Sequence, residues 1–261
     1  MSATVLGFLP FAAAVRLRSI DVSEPVAAVR RRYEAAFGVD PEDRGGWYHD
    51  DDWRRISFVL DRVGSGERLL DVGTGAGQFV NAVAQSGRFA EIHGADPHRF
   101  SKYLDLFDAV NAVRVGIDKL PFPDDHFDVV TCMEVLEHVP APVLEAGMAE
   151  LRRVCRGKLI MSVPFAEPEP IYEGHQRRFG VNDVARTFPE GERTLLYRLI
   201  TPWVVVEEWT GSSGRGAPAP QSRPRTSAVV AAVAGLTSLV VSRAVTASQR
   251  VRGRTSRQVD S

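Results

Sequence analysis

LLDVGTGAGQFV, residues 69–80, is an apolar run that breaks into three alternating glycines, Gly73, Gly75 and Gly77, and resumes as an amphipathic stretch. It reads as a strand, a tight loop and a helix. Glycine suits such a loop because a side chain would hold a ligand away from the backbone, and the amides of the following helix's first turn attract negative or polar groups. Nineteen residues beyond Gly77, the strand-like segment EIHGAD closes on Asp96, whose carboxylate can accept two neighbouring sugar hydroxyls.

Outward from this core, apolar runs alternate with helical stretches. Arg68–Val72, Glu91–Ala95, Ala112–Val115, Phe127–Met133 and Lys158–Val163 read as strands. Gln78–Gln85, Arg99–Val110 and Val143–Val154 read as helices between them. Strands joined by single helices pair in parallel with right-handed crossovers, which gives an α/β, doubly wound, mostly parallel sheet. Thr194–Ile200 and Trp203–Trp209 are separated only by Thr201 and Pro202, so they form an antiparallel hairpin at the C-terminal end of the fold. The ligand crevice of such a sheet lies outside the carboxyl ends of its strands, where strand order reverses.

Upstream, Ser23–Gly38 reads as a helix with Pro25 in its first turn and Val26, Val29, Tyr33 and Phe37 on one face. After a Gly, Asp and Trp-rich loop (Asp40–Asp52), a second helix over residues 53–63 places Trp53, Ile56, Val59, Leu60 and Val63 on one side. The organisation expected is a helical N-terminal extension (1–44), a main domain (45–210), a Gly, Ser, Pro and Arg linker (211–226) and a basic tail with a candidate helix (227–261).

The 261 residues carry 32 Lys and Arg against 33 Asp and Glu, for a net charge of -1. That balance hides an asymmetry, because residues 211–261 hold eight Arg and a single acid, Asp260. An acidic body argues against a nucleic-acid partner. The apolar segment 228–241 followed by arginines is too short to cross a bilayer but suits peripheral contact with an anionic membrane; docking on the body or an unstructured extension remain open for it. Cys132 and Cys155 are too few for a disulfide framework and lie in apolar runs as core residues. With no long apolar span and no charged-then-apolar leader, the expected location is cytoplasmic, with membrane association through the tail as its one qualification.

The motif of Asp71, the three glycines and Asp96 resembles that of the class I S-adenosylmethionine-dependent methyltransferases. The resemblance continues through LPFPDDHFDVVTCMEVLEHV (120–139) and ELRRVCRGKLIMSVP (150–164), and covers roughly residues 50–210. It implies a Rossmann-like methyltransferase fold, S-adenosylmethionine as cofactor, and Asp71, Gly73, Gly75, Gly77 and Asp96 around it. Cys-Met-Glu-Val-Leu-Glu-His-Val-Pro is close to the ubiquinone-biosynthesis O-methyltransferases, which implies a small-molecule hydroxyl as acceptor and puts Glu134 beside the cofactor. One departure stands out. Where the family commonly has Asp for the adenine amine this chain has Gly116, in VGIDKLP, so the contact falls to Asp118 or to the amides of Ile117 and Asp118.

For the chemistry, His138 is the first candidate base and His175 the second, since neutral imidazole accepts a proton near pH 7. Each is also readable as a structural residue, His138 packed at a loop start and bonded to backbone, His175 pinning its own loop. Arg177, beside His175, can orient an acidic or hydroxylated acceptor. Glu134, Glu137 and His138 form a cluster of oxygen and nitrogen donors, read here as capping or solvated groups with no metal assigned. The alternatives to a small-molecule O-methyltransferase are a C- or N-methyltransferase of a small molecule or macromolecule, and a non-catalytic cofactor-binding protein.

Overall fold

The computed structural model describes residues 11–38, 49–98, 110–197 and 201–210. The main body of the expected helix 99–110, the linker 211–226 and the tail 227–261 lie outside these residues. Among them, eight strands build one sheet: β1 (Ala13–Arg16), β2 (Gly66–Val72), β3 (Phe89–Ala95), β4 (Val110–Val113), β5 (Phe127–Met133), β6 (Cys155–Pro164), β7 (Glu192–Tyr197) and β8 (Trp203–Trp209). The helices are α1 (Glu24–Phe37), α2 (Asp50–Leu60), α3 (Gln78–Ser86), α4 (Ala141–Val154) and α5 (Val181–Thr187).

The sheet order is β1-β7-β8-β6-β5-β2-β3-β4. All pairings are parallel except those of β8, which runs antiparallel to both β6 and β7. The chain leaves β2 towards β3 and β4, then returns to lay β5 on the other side of β2. That reversal opens the crevice at the C-terminal ends of β2 and β5. The central strands read as nearly continuous apolar runs because both faces of the sheet are covered: Leu69, Leu70, Val130, Leu159, Ile160, Val204 and Val205 are wholly buried.

Three differences from the sequence reading have physical causes. Ala13–Arg16 pairs with Thr194–Tyr197 as an edge strand, so the N-terminal segment joins the sheet through a partner far along the chain. β4 begins at Val110, inside the expected helix, and ends at Val113 rather than Val115; its half-exposed edge position leaves little apolar pattern to mark it. The face of α2 is also wider than expected. Asp52 to Leu60 are buried with the sole exception of Arg54, because α2 is packed by α1, α3 and the 3-10 turn Leu17–Ser19.

α1 begins after Ser23, though the serine side chain caps nothing; its amide instead donates to Ser57 Oγ at 3.1 Å, tying α1 to α2. Pro25 sits in the first turn and Gly38, at φ 78°, ends the helix. In α2 the His49 amide donates to Asp52 Oδ2 at 3.1 Å, closing the helix start. No helix among the described residues is long and apolar enough to cross a membrane.

Candidate active site

The glycine loop follows β2. Gly73, Gly75 and Gly77 all have positive φ, at 79°, 55° and 86°, so the backbone itself selects glycine. At Gly73 there is a second reason. A Cβ there would lie 2.0 Å from Val135 Cγ2, so at this position the missing side chain makes room for a neighbouring loop of the protein. The loop is tied down by Gly73 N to Ala95 O (2.7 Å), Thr74 Oγ1 to Asp71 O (2.9 Å) and Gly77 N to Thr74 O (3.0 Å). From α1, the Tyr33 hydroxyl donates to the Ala76 carbonyl and accepts from Asn81 Nδ2 at 3.1 Å. The N-terminal helix is thus a structural support of the loop.

Asp96 follows β3 directly. Its Oδ2 accepts from the Gly75 amide at 3.0 Å and its Oδ1 from the His98 amide at 2.9 Å. The chain after β4 is fastened to the same residue, with Asp96 N to Val113 O and Val115 N to Asp96 O both at 3.1 Å. Beyond it, Ile117 is buried against Gly147 of α4, and Glu150 and Arg153 grip the loop through the Leu120 amide (2.9 Å) and the Leu120 and Phe122 carbonyls (3.0 and 2.7 Å). Asp118 Oδ1 lies 2.8 Å from where a Cβ on Gly116 would stand, so the Asp118 carboxylate fills the room beside residue 116.

Asp71 behaves differently from Asp96. It is buried, its Oδ1 accepts from Thr131 Oγ1 at 2.7 Å, and burial, partly offset by that bond, pushes its carboxyl up to about 7. Another buried donor, Gln78 Nε2 at the first position of α3, has no partner among the described residues.

On the β5 side, Glu134 takes a positive φ of 56°, a sparsely populated conformation for a residue with a side chain. Three contacts hold it there: its amide to Ser162 O (3.0 Å), Ser162 Oγ to its Oε1 (2.9 Å) and an ion pair from Arg55 Nη1 (2.8 Å). Arg55 is buried on α2, 4.4 Å over the Trp203 ring and 3.5 Å from Asp52. Burial opposes its charge, but Glu134, Asp52 and Glu137 outweigh it and keep the guanidinium protonated. The sequence reading missed Arg55; the signal was an i, i+3 pair, Asp52 and Arg55, on the apolar face of a helix.

Glu137 is almost wholly buried and neither carboxylate oxygen has a partner among the described residues. Burial and then the neighbouring Glu134 charge push its carboxyl well above the usual range. His138 Nδ1 lies 2.9 Å from the Gly174 carbonyl, and His175 Nδ1 lies 2.6 Å from Glu167 Oε2. The two rings meet edge to face with centroids 4.8 Å apart. One donor atom each of Glu137, His138 and His175 falls within 4.8 Å of the others. Glu134, which the sequence grouped with Glu137 and His138, is instead committed to Arg55 and Ser162. Arg177 Nη2 donates to Val139 O at 2.7 Å and so clamps the histidine loop. Cys132 and Cys155 are buried, and burial raises both thiols away from the reactive thiolate.

Residues 70–161 match the family profile of a methyltransferase domain. The chain carries a methyltransferase domain. The Ubiquinone biosynthesis O-methyltransferase of Bordetella avium is 35% identical to it over 117 residues, 41% of this chain and 48% of that protein. The chain therefore spans about half the length of the curated relatives it matches. Among solved structures, Burkholderia thailandensis 1,6-didemethyltoxoflavin-N1-methyltransferase, with 1,6-didemethyltoxoflavin and S-adenosylhomocysteine bound, shares the fold of the methyltransferase domain at a TM-score of 0.52 and 16% identity, covering 74% of this chain and 92% of that one. The [4+2]-cyclase SpnF shares it at 0.50 and 16%, covering 77% and 98%. A cyclase on the same frame means the fold alone does not choose the reaction.

Proposed function

We propose that this chain is an S-adenosylmethionine-dependent methyltransferase that methylates a hydroxyl of a small molecule such as a quinone, lipid or secondary-metabolite precursor. The observation that carries the reading is Asp96: its carboxylate is held by the Gly75 amide beside the N-terminus of α3, at the end of β3. A carboxylate fixed by one lone pair of each oxygen keeps others for a ribose diol. Gln78 Nε2 at the same helix start, without a partner among the described residues, and a glycine loop fixed in place through Tyr33, Thr74 and Ala95 fit a bound nucleoside. Asp118, filling the space beside Gly116, is the residue we assign to the adenine side, together with the amides of Ile117 and Asp118.

S-adenosylmethionine supplies, when bound, an electrophilic methyl group on a sulfonium. The work left to the protein is alignment and removal of the acceptor's proton. Because a carbonyl and a carboxylate only accept hydrogen bonds, both histidines carry their proton on Nδ1 and leave Nε2 as the basic nitrogen. Two such nitrogens, on the loops after β5 and β6, can take the proton of an acidic hydroxyl, and the curated relatives named as O-methyltransferases support that acceptor over a carbon.

Incubation of the purified chain with methyl-labelled cofactor and a native metabolite extract tests this. Label is expected in a base-stable, organic-extractable ether. Label appearing only in protein or RNA would overturn the small-molecule reading. For the tail we propose peripheral contact with anionic membrane, on its sequence alone. Flotation with anionic vesicles at low salt should separate the full chain from a chain ending at Thr210, and identical partitioning would reject that contact.

A further inference from the structure

We propose that Glu167 and His175 form a dyad in which His175, rather than His138, takes the acceptor's proton and Glu167 is its positioning residue. The proposal rests on the methyltransferase reading and names the base within it. The acceptor's hydroxyl proton passes to His175 Nε2. The oxygen keeps that bond's electron pair and uses it to bond the methyl carbon, while the carbon–sulfur pair returns to sulfur. The imidazolium then releases its proton to water.

The two histidines differ in what stands behind them. His138 is exposed, and its Nδ1 meets only a neutral carbonyl, that of Gly174. His175 has a carboxylate 2.6 Å from Nδ1, and both side chains are nearly closed off from solvent, at 8% and 12% exposure. A carboxylate at that distance fixes the tautomer and stabilises the imidazolium that proton transfer creates, which a carbonyl does far less.

Glu167 is itself built in. Ala166, before it, has a positive φ of 51°, and its amide donates to Phe179 O at 2.9 Å. The second carboxylate oxygen, Oε1, accepts from the Tyr172 amide at 3.1 Å, and the His175 amide returns to Tyr172 O at 2.9 Å. The loop from 166 to 175 is thus folded around this one carboxylate. The Tyr172 ring, 5.2 Å from His175, and the His138 ring flank the imidazole. In this arrangement His138 packs the base in place.

A loop pin and a dyad make different predictions for Glu167→Gln. The amide oxygen still accepts from Nδ1, so a pin survives, whereas a dyad loses its charge. In the full-length chain, turnover of a phenol or catechol acceptor should fall about thirtyfold or more in Glu167→Gln, with cofactor affinity within about twofold, and recover in part in Glu167→Asp. His138→Ala should lose less turnover than His175→Ala. Unchanged turnover in a folded Glu167→Gln variant, or a larger loss in His138→Ala, overturns the dyad.

A readout that needs no turnover is nitrogen NMR of the histidine-labelled chain. The neutral His175 ring should carry its proton on Nδ1 in the wild type and shift towards Nε2 protonation in Glu167→Ala. Wild-type protonation on Nε2 would reject the dyad even in an active enzyme. Wild-type protonation on Nδ1 in a chain that methylates nothing would leave the Glu167–His175 contact standing but reject the methyltransferase reading, and the base with it.

Discussion

Val135 closes on Gly73, its Cγ2 standing 2.0 Å from the point where a β-carbon would be. The loop after β5 therefore rests directly on the loop after β2, and this contact joins the two sides of the crevice. Gly73→Ala should meet both the left-handed backbone and this clash, with a loss of about 2–4 kcal/mol in urea unfolding. Adding Val135→Ala should recover part of it, because only the backbone strain then remains. Equal stability of the single variant and the wild type would show that the two loops do not bear on each other.

Asp71 gives the chain a pH-dependent weakness. Its carboxyl is raised in the folded state to about 7 by burial, whereas in the unfolded chain it titrates near the usual value of about 4. Between those values the folded state holds the extra proton, so stability falls as pH rises through the window and the loss is complete above about 7. The size is on the order of 4 kcal/mol. Asp71→Asn keeps an acceptor for Thr131 and removes the titration. Urea unfolding at pH 5 and pH 8 should show the wild type losing stability relative to this variant, and parallel behaviour of the two would refute the buried, proton-holding Asp71.

Tyr33 links α1 to the glycine loop. Tyr33→Phe takes away the donor to Ala76 and the acceptor for Asn81 while leaving the ring in place. The cost expected is about 1–3 kcal/mol of stability, with a several-fold loss of cofactor affinity measured by calorimetry. Loss of stability with no change in affinity would confine α1 to a packing role.

The parts of this fold that the sequence displays are those where local chemistry leaves few options. Three glycines at positive φ, a strand before them and a helix after them can be read within twelve residues, and Asp96 follows from the end of the next strand. Phe127–Met133 is mostly apolar and mostly buried, with Asp128 and Thr131 as its polar positions, and its limits come out as read. What escaped depends on partners far away in the chain. Ala13–Arg16 is a strand only because Thr194–Tyr197 lies beside it. Arg55 and its neighbour Arg54 look alike in sequence, and only the fold places the first against Glu134 and Trp203. His138 and His175 were legible as candidates. The carboxylate behind His175, on which the proposed order rests, was not, since Glu167 reaches His175 through a turn with no motif of its own.

Asp96 and the glycine loop are proposed to hold S-adenosylmethionine, and titration calorimetry on the full chain tests this most directly. The wild type should bind S-adenosylmethionine and S-adenosylhomocysteine at one site per chain. Asp96→Ala, folded by circular dichroism, should bind both about a hundredfold more weakly, because it loses the ribose acceptor and frees the Gly75 amide together. No binding to the folded wild type, or equal binding to the variant, would contradict the account.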